Sequence, residues 1–341
     1  MKKTVLLIIL ILITLAAITY GDLILYGLRQ GTGQVKVLWH AVPNNKLIND
    51  PEVPDSIKYK LRLISEIKQY AVNELGISDN DNYNSLYDQG GNPILWNVSA
   101  SAKFKLEAYE WSFPLLGKFS YKGFFNYELA LKEEKKLEAL GLDTRVRTVG
   151  GWSTLGWFND PILSNMLNRS EGQLAELIIH ELIHGNIYIK DSVDFNENMA
   201  TFFGQRGAID FLQNKYGKDS PQLRDYINTE NDFTRYVNHM LNGASLLDSL
   251  YNSMNEELHE PQKERKKLEM IQSIVNTLDT ITFQQKGKYY NLFPELPNNA
   301  YFMALNRYRS KSEYFENELK YTYNNDLKSF LAFLISEYPS L

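Results

Sequence analysis

No cysteine occurs among the 341 residues of this chain. No disulfide can hold the fold, so burial of a hydrophobic core must do it. The same absence excludes thiol nucleophiles, cysteine-ligated zinc, c-type haem attachment and iron–sulfur clusters. Any transition-metal site must be built from histidine and carboxylates, and there are only five histidines. Hydrophobic residues make up 44% of the chain, enough for a substantial core. At roughly 150 residues per domain, the length allows one large or two modest domains. The net charge of −5 argues against a nucleic-acid partner, whose usual counterpart is a basic surface, and none is expected. The 22 tyrosines fit an extended, partly exposed binding surface.

The N-terminus has its own chemistry. Met1-Lys2-Lys3 is a short cationic start, and Thr4 to Tyr20 then runs without a charge and is almost wholly aliphatic. That is the pattern of a signal peptide or signal anchor. Counted through Leu28, the segment is long enough to span about 30 Å of hydrocarbon as a helix. A small-x-small cleavage site is weak (Ala16, Ala17, Thr19), so the expectation is an uncleaved anchor over residues 1–28, with a cleaved signal as the alternative. A buried core helix is disfavoured because the segment has no polar face. Lys2 and Lys3 would stay on the cytoplasmic side, placing everything after about Arg29 outside.

Residues 29–165 read as an α+β lobe. Gly-rich 29–50 suggests a linker with a short helix, Val35 to His40. Apolar residues from Ile57 to Leu75 repeat near 3.6, predicting a helix from Asp55 stopped by Gly76. Strand-like segments are Ile94 to Val98, Phe119 to Tyr121 and Thr144 to Val149, with an amphipathic helix from Asn126 to Leu140 between the last two. Asp160-Pro161 resembles a helix N-cap followed by proline at the first position. Residues 166–341 read as helical, and 29–341 as one unit. Helices are expected over about Phe195–Tyr216, Gln222–Asn242, Ala244–Leu258, Gln262–Thr282, Ala300–Ser310 and Asn325–Ser336.

The chemistry concentrates in one helix. Ser170-Glu171-Gly172-Gln173 is a capping box opening a helix to about Ile187. Within it stands His180-Glu181-Leu182-Ile183-His184. Residues i and i+4 of a helix project from one face, so both imidazoles can reach one metal. Catalytic zinc takes three protein ligands and keeps one position open. The nearest candidate for the third is Glu197 in the next helix, with Ala200 as the small residue that lets the two helices pack. Asp194-x-x-Glu197 is also a capping pattern, the competing reading for Glu197. Asp191 and Asp194 remain alternative ligands, or acids that orient a ligand histidine. Glu181 is placed as general base and then acid. The expected cofactor is one zinc per chain, and the expected reaction is peptide-bond hydrolysis through a zinc-bound water. The donor for the tetrahedral oxyanion stays open; Tyr188 fits that role and a packing role equally.

Several stretches together resemble the bacterial "predicted aminopeptidase" family of HExxH, gluzincin-like zinc peptidases. They include Tyr26, Gly33-Gln34, Asp50-Pro51 and Trp96-Asn97-Val98-x-Ala100. Then come Trp111-x-Phe113-Pro114-x-x-Gly117-x-x-x-Tyr121-x-Gly123-Phe124-Phe125 and Ser153-Thr154-Leu155-Gly156-Trp157-Phe158-x-Asp160-Pro161. His180-Glu181-x-x-His184, Asp194-Phe195-Asn196-Glu197 and Asn298-Asn299-Ala300 complete them. The chain departs from the family where members carry cysteines flanking the Phe-Pro turn: here stand Ser112 and Lys118. It also lacks the lipid-bearing cysteine of family lipoproteins, so its anchor must be the apolar helix.

The fold expected is α+β and predominantly helical, a zincin-like peptidase with a small N-terminal sheet region, a helical C-terminal half and an N-terminal transmembrane or signal helix. The resemblance implies hydrolysis of a peptide or protein substrate at the bilayer, outside the cytoplasm: an inner-membrane-anchored aminopeptidase of the cell envelope. A zinc endopeptidase and a non-catalytic peptide-binding protein with a retained metal site are the alternatives. Ser153 and Thr154 are expected to pair with an extended peptide, though Trp157 and Phe158 also suit a core. Asn299 is expected to touch a substrate terminus, unless Asn298 and Asn299 only cap a helix.

Overall fold

The computed structural model describes residues 2–113, 117–151, 154, 158–255, 257–285, 289 and 292–338, with side chains for all of these except 2–19 and 308. The chain begins with one long helix, α1 (Lys2–His40). The expected linker after residue 28 is absent, because the second half of α1 is docked on the body. Tyr26 Oη and Gln30 Nε2 both donate to the Gly123 carbonyl at 2.9 Å. Gly33 lies so close to Phe125 that a Cβ there would stand 2.3 Å from a ring carbon. Tertiary contacts of this kind carry a helix through glycines that would weaken it alone. Among the residues with described side chains, no helix is long and apolar enough to cross a membrane. The apolar run on which the anchor expectation rests lies mostly outside them.

Beyond α1 come β1 (Val42–Pro43), α2 (Asn44–Asn49) and α3 (Asp55–Tyr70), which ends in a wide turn closed by left-handed Gly76. Six strands follow around one helix: β2 (Ser85–Tyr87), β3 (Trp96–Ala102), β4 (Trp111–Phe113), β5 (Gly117–Phe119), β6 (Lys122–Phe124), α4 (Tyr127–Glu138) and β7 (Leu142–Thr148). With β8 (Ile162–Leu163) they make three small sheets, ordered β1-β2-β8, β6-β3-β7 and β4-β5. Asn126 caps α4 through Leu129 N at 3.0 Å, and Ala130 and Leu137 pack on Val98, Ala100 and Phe124. Ser112 and Lys118 are register partners across the β4–β5 hairpin, the place where a cysteine pair would face itself. Asp160 does not start a helix: a strand and a short 3-10 turn follow it, and its side chain turns inward instead.

The rest is helical: α5 (Glu171–His184), α6 (Val193–Tyr216), α7 (Pro221–Ser253), α8 (Glu260–Asn276), α9 (Asn299–Arg309), α10 (Ser312–Asn317) and α11 (Leu327–Glu337). Helix α7 runs straight through Gly243, where a break was expected. Glycine is needed there for close packing, since a Cβ would meet Ile274 at 2.6 Å. The main core joins α3 (Leu61, Ile64, Ile67) to α5 (Ile178, Ile179) and α6 (Phe203), so it crosses the boundary drawn at residue 165. A second core joins α7, α8 and α9.

The α5–α6 contact is the tightest helix pairing near the histidines. Ala200 is fully buried, but the backbones approach one turn later, at Gly204. A Cβ there would sit 2.8 Å from the Glu176 carbonyl oxygen and 3.2 Å from His180 Cβ. A backbone atom cannot step aside as a flexible side chain can. Gly204→Ala should therefore lower stability by about 1–3 kcal/mol in urea unfolding, although alanine alone would strengthen the helix by about 1 kcal/mol.

Candidate active site

Helix α5 forms for reasons the sequence carries. Ser170 Oγ accepts from Gln173 N and Gln173 Oε1 accepts from Ser170 N, both at 3.3 Å. Leu174, Ala175, Ile178, Ile179, Leu182 and Ile183 are buried in the main core. Glu176, His180, Glu181 and His184 are left facing a cleft of about 1140 Å³. The helix ends at His184, one turn before the expected Ile187.

His180 Nε2 and His184 Nε2 lie 3.1 Å apart. Glu197 Oε2, from the first turns of α6, is 3.5 Å from the first and 3.6 Å from the second. Donors about 2.0–2.2 Å from a tetrahedral zinc lie roughly 3.3–3.6 Å from one another. The three atoms therefore fit one zinc, and two imidazoles with one carboxylate are the donor set of a catalytic rather than a structural site. The side chain of Glu197 is aimed at the imidazoles and not at its own helix start. Ser192, the residue before α6, makes no side-chain cap either.

The charges at the three ligands are interlocked. Burial works to raise the Glu197 carboxyl, but hydrogen bonds and charge from His180 and His184 hold it far below the usual carboxylate range. For His184 burial works downward and is outweighed by Glu197, so the imidazole is raised. Around the ligands, Thr201 Oγ1 is 3.5 Å from His180 Nδ1, and Tyr121 Oη is 3.5 Å from Glu197 Oε1. Neither Asp191 nor Asp194 bonds a ligand histidine. Asp191 accepts from Lys118 N at 2.8 Å, and Asp194 stands 3.5 Å from the Arg307 guanidinium.

Glu181 is buried beside the ligands, with its carboxyl raised first by desolvation and further by Glu197, while the two imidazoles work the other way. Gly151 covers it: a Cβ on that glycine would be 3.3 Å from Glu181 Oε1. Thr154 lines the same cleft and is tied down by Asp160, whose Oδ2 accepts from Thr154 N at 2.7 Å and Thr154 Oγ1 at 3.1 Å. Ser153 lies outside the described residues. Helix α1 supplies another wall through Gly27, Gln30, Gly31 and Gln34.

Asn299 is a correction. It is fully buried away from the cleft, and its amide bonds Tyr251 Oη at 2.8 Å and the Ala102 carbonyl at 2.9 Å. Asn298 caps α9. The other histidines have structural partners: His239 bonds the Ile274 carbonyl at 2.8 Å, His40 the Lys36 carbonyl at 2.7 Å, and His259 caps α8. Sequence reasoning missed Tyr121, Gly151, Glu176 and Asp160 as parts of the site. Glu176 had a signal, since it precedes His180 by one turn; the others reach the site only through the tertiary fold.

Asp160 makes a testable demand. Desolvation raises its carboxyl to about 6, despite help from Thr154 and the Gln34 amide. Between its unfolded value of about 3.9 and about 6, the folded state holds the extra proton, so stability falls as pH rises through that window. Asp160→Asn removes this ionisation while keeping an acceptor for Thr154 N. Urea unfolding should show the variant gaining on the parent from pH 4 to pH 7.

The chain matches a family described as "Putative aminopeptidase" over residues 25–336. No curated protein and no solved structure matches it.

Proposed function

This chain belongs to the "Putative aminopeptidase" family, and on that premise we propose that it is a membrane-anchored zinc aminopeptidase of the bacterial cell envelope. The observation that carries the reading is the convergence of His180, His184 and Glu197 on one point, with buried Glu181 beside them. These three residues would hold one zinc per chain. Bound there, zinc supplies polarisation of the scissile carbonyl and acidification of water to a pKa of ~7. Glu181 takes the proton of the attacking water and hands it to the departing amine. Its buried position favours the protonated form between those two steps. A structural metal site has no use for such a group.

Two further carboxylates favour an exopeptidase acting at a free N-terminus. Glu176 lies about one turn before His180, about 6 Å along the helix, and lines the same cleft, as does Glu230. Arg309 is 3.2 Å from Glu230 and 3.9 Å from Glu176, and Tyr226 Oη donates to Glu176 at 3.0 Å. An α-ammonium whose peptide carbonyl sits at the ligands would reach this group of charges.

The anchor reading rests on the charge-free run from Thr4 to Tyr20 behind Lys2 and Lys3, which orients the catalytic body outside the cytoplasm. From Tyr20 to Gly27 is about 10 Å along a helix, so the cleft would open near the bilayer surface.

Purified full-length protein should contain about one zinc per chain by metal analysis, and Glu181→Gln should keep it while losing about 10²–10⁴-fold in kcat. A metal-free protein, or an active Glu181→Gln variant, would end the peptidase reading. Peptides with a free N-terminus should be cut faster than their N-acetylated forms, and Glu176→Gln should narrow that difference. Equal rates on both peptide sets in the parent would replace the aminopeptidase by an endopeptidase. Protease accessibility of the body from the periplasmic side tests the orientation.

A further inference from the structure

Peptide hydrolysis puts a negative charge on the carbonyl oxygen when water attacks the carbon and the C=O π bond opens. A site for it needs a fixed donor aimed at that oxygen. Three tyrosines with described positions line the cleft: Tyr121, Tyr188 and Tyr289. Tyr289 is committed to the second core, where its ring stacks on Phe283 at 4.6 Å and on Tyr236 at 5.3 Å. Tyr188 follows the end of α5, and its largely buried hydroxyl is raised by desolvation and by Asp191. Tyr121 is different, because its hydroxyl stands 3.5 Å from Glu197 Oε1. Glu197 Oε2 faces the two imidazoles, so the phenol is one carboxylate away from the point where the three ligand atoms converge.

We propose that Tyr121 is the catalytic residue that donates a hydrogen bond to the substrate's oxyanion, and that Arg307 is the positioning residue that fixes it there. This rests on the peptidase reading above. The phenol keeps its proton; it lends the hydrogen bond as the charge forms and withdraws it as the carbonyl is restored and the amine leaves.

The support under Tyr121 is specific. It lies in the two-residue turn between β5 and β6, and the Arg307 guanidinium reaches across from α9 to hold that turn. It donates to Ser120 Oγ at 2.9 Å and to the Ser120 carbonyl at 3.1 Å. Arg307 is only 2% exposed, and its guanidinium carbon is 5.2 Å from the centre of the Tyr121 ring, within the range of a cation–π contact. Phe119 meets the same ring edge-on at 5.8 Å. The clamp is also registered to the ligands. Asn198, the neighbour of Glu197, donates to the Asp194 carbonyl at 2.7 Å and to the Arg307 carbonyl, and accepts from Lys311 N at 2.8 Å. A buried cation is costly unless it is paired and hydrogen-bonded. Here Asp194 and Ser120 supply the pairing, and a positive charge against the ring face strengthens the phenol as a donor.

The test uses the full-length protein and Tyr121→Phe, with Arg307→Lys as a second variant. Tyr121→Phe should lower kcat by about 10²–10³-fold with KM changed less than about threefold. Its zinc affinity, titrated against a competing chelator, should match the parent. Its affinity for a phosphinic peptide, which mimics the tetrahedral geometry, should fall by a factor similar to the loss in kcat. Affinity for an unreactive product-like peptide should hold. Arg307→Lys keeps the charge but loses the fork on Ser120, and should show a smaller loss of the same kind. The proposal is overturned if Tyr121→Phe keeps full kcat. It is also overturned if the variant loses zinc affinity in step with activity, because the hydroxyl would then serve only to hold Glu197. Failure of the peptidase reading shows separately, as a parent without zinc or an active Glu181→Gln variant.

Discussion

Helices α5 and α6 meet at Gly204, and the missing side chain there lets the α6 backbone come up against the Glu176 carbonyl and His180. The ligand set depends on that approach. His180 and His184 are placed by one helix and Glu197 by the other, so the 3.5 and 3.6 Å separations between them report the helix spacing directly. Glycine at 207 continues the contact against Ile179. A larger residue at 204 would press on backbone and push the helices that carry the imidazoles and the carboxylate apart. The core packed behind this pair, from α3, α10 and α11, acts as the backing that keeps it closed.

The parts of the site legible in the sequence are those encoded within one element. The capping box at Ser170, the i, i+4 histidines with Glu181 between them, and the stop at Gly76 all need only local rules. Glu197 was legible because the ligand set needed a third member and the next helix offered a carboxylate in its first turns. What local rules missed was decided by tertiary contact. Glycines 31 and 33 read as part of a linker, yet α1 continues because Gly123 and Phe125 grip it. Gly243 read as a break, yet it lets Ile274 pack against an unbroken α7. Asp160 read as a cap because Asp-Pro often is one, and instead its carboxylate ties down Thr154 in the lining of the cleft. Asn299 belongs to motif-like sequence but spends its amide on backbone and Tyr251. Polar residues in a recurring pattern can thus serve the scaffold as readily as the substrate.

Helix α1 links the two halves of the problem. Its N-terminal run has the composition of a membrane segment, and its later turns face the cleft through Gly27, Gln30, Gly31 and Gln34. Among the described residues, nothing beyond the adjoining turns of α1 lies within 4 Å of a Cβ built at Gly27 or Gly31, so packing against those residues does not require glycine there. Each costs a helix about 1 kcal/mol relative to alanine. Gln34 leads from this wall to Asp160, and Asp160 to Thr154. A displacement of α1 would therefore be felt at Thr154 in the lining of the cleft.

The electrostatics of the candidate ligand cluster bear on the metal proposed for it. Glu181 and Glu197 are both buried here, and Asp160 lies near enough to Glu181 to feel its charge. The only cations the ligands themselves can offer are protonated imidazoles. The two imidazoles pull the Glu197 carboxyl down against its burial, and Glu197 pulls the His184 imidazole up against its own. These three groups lean on one another at the point where a divalent ion would fit. Zinc takes neutral imidazoles, so its binding here would compete with protons and weaken in acid. A zinc ion at this point, as proposed, would also be the counter-charge that lets these buried carboxylates coexist.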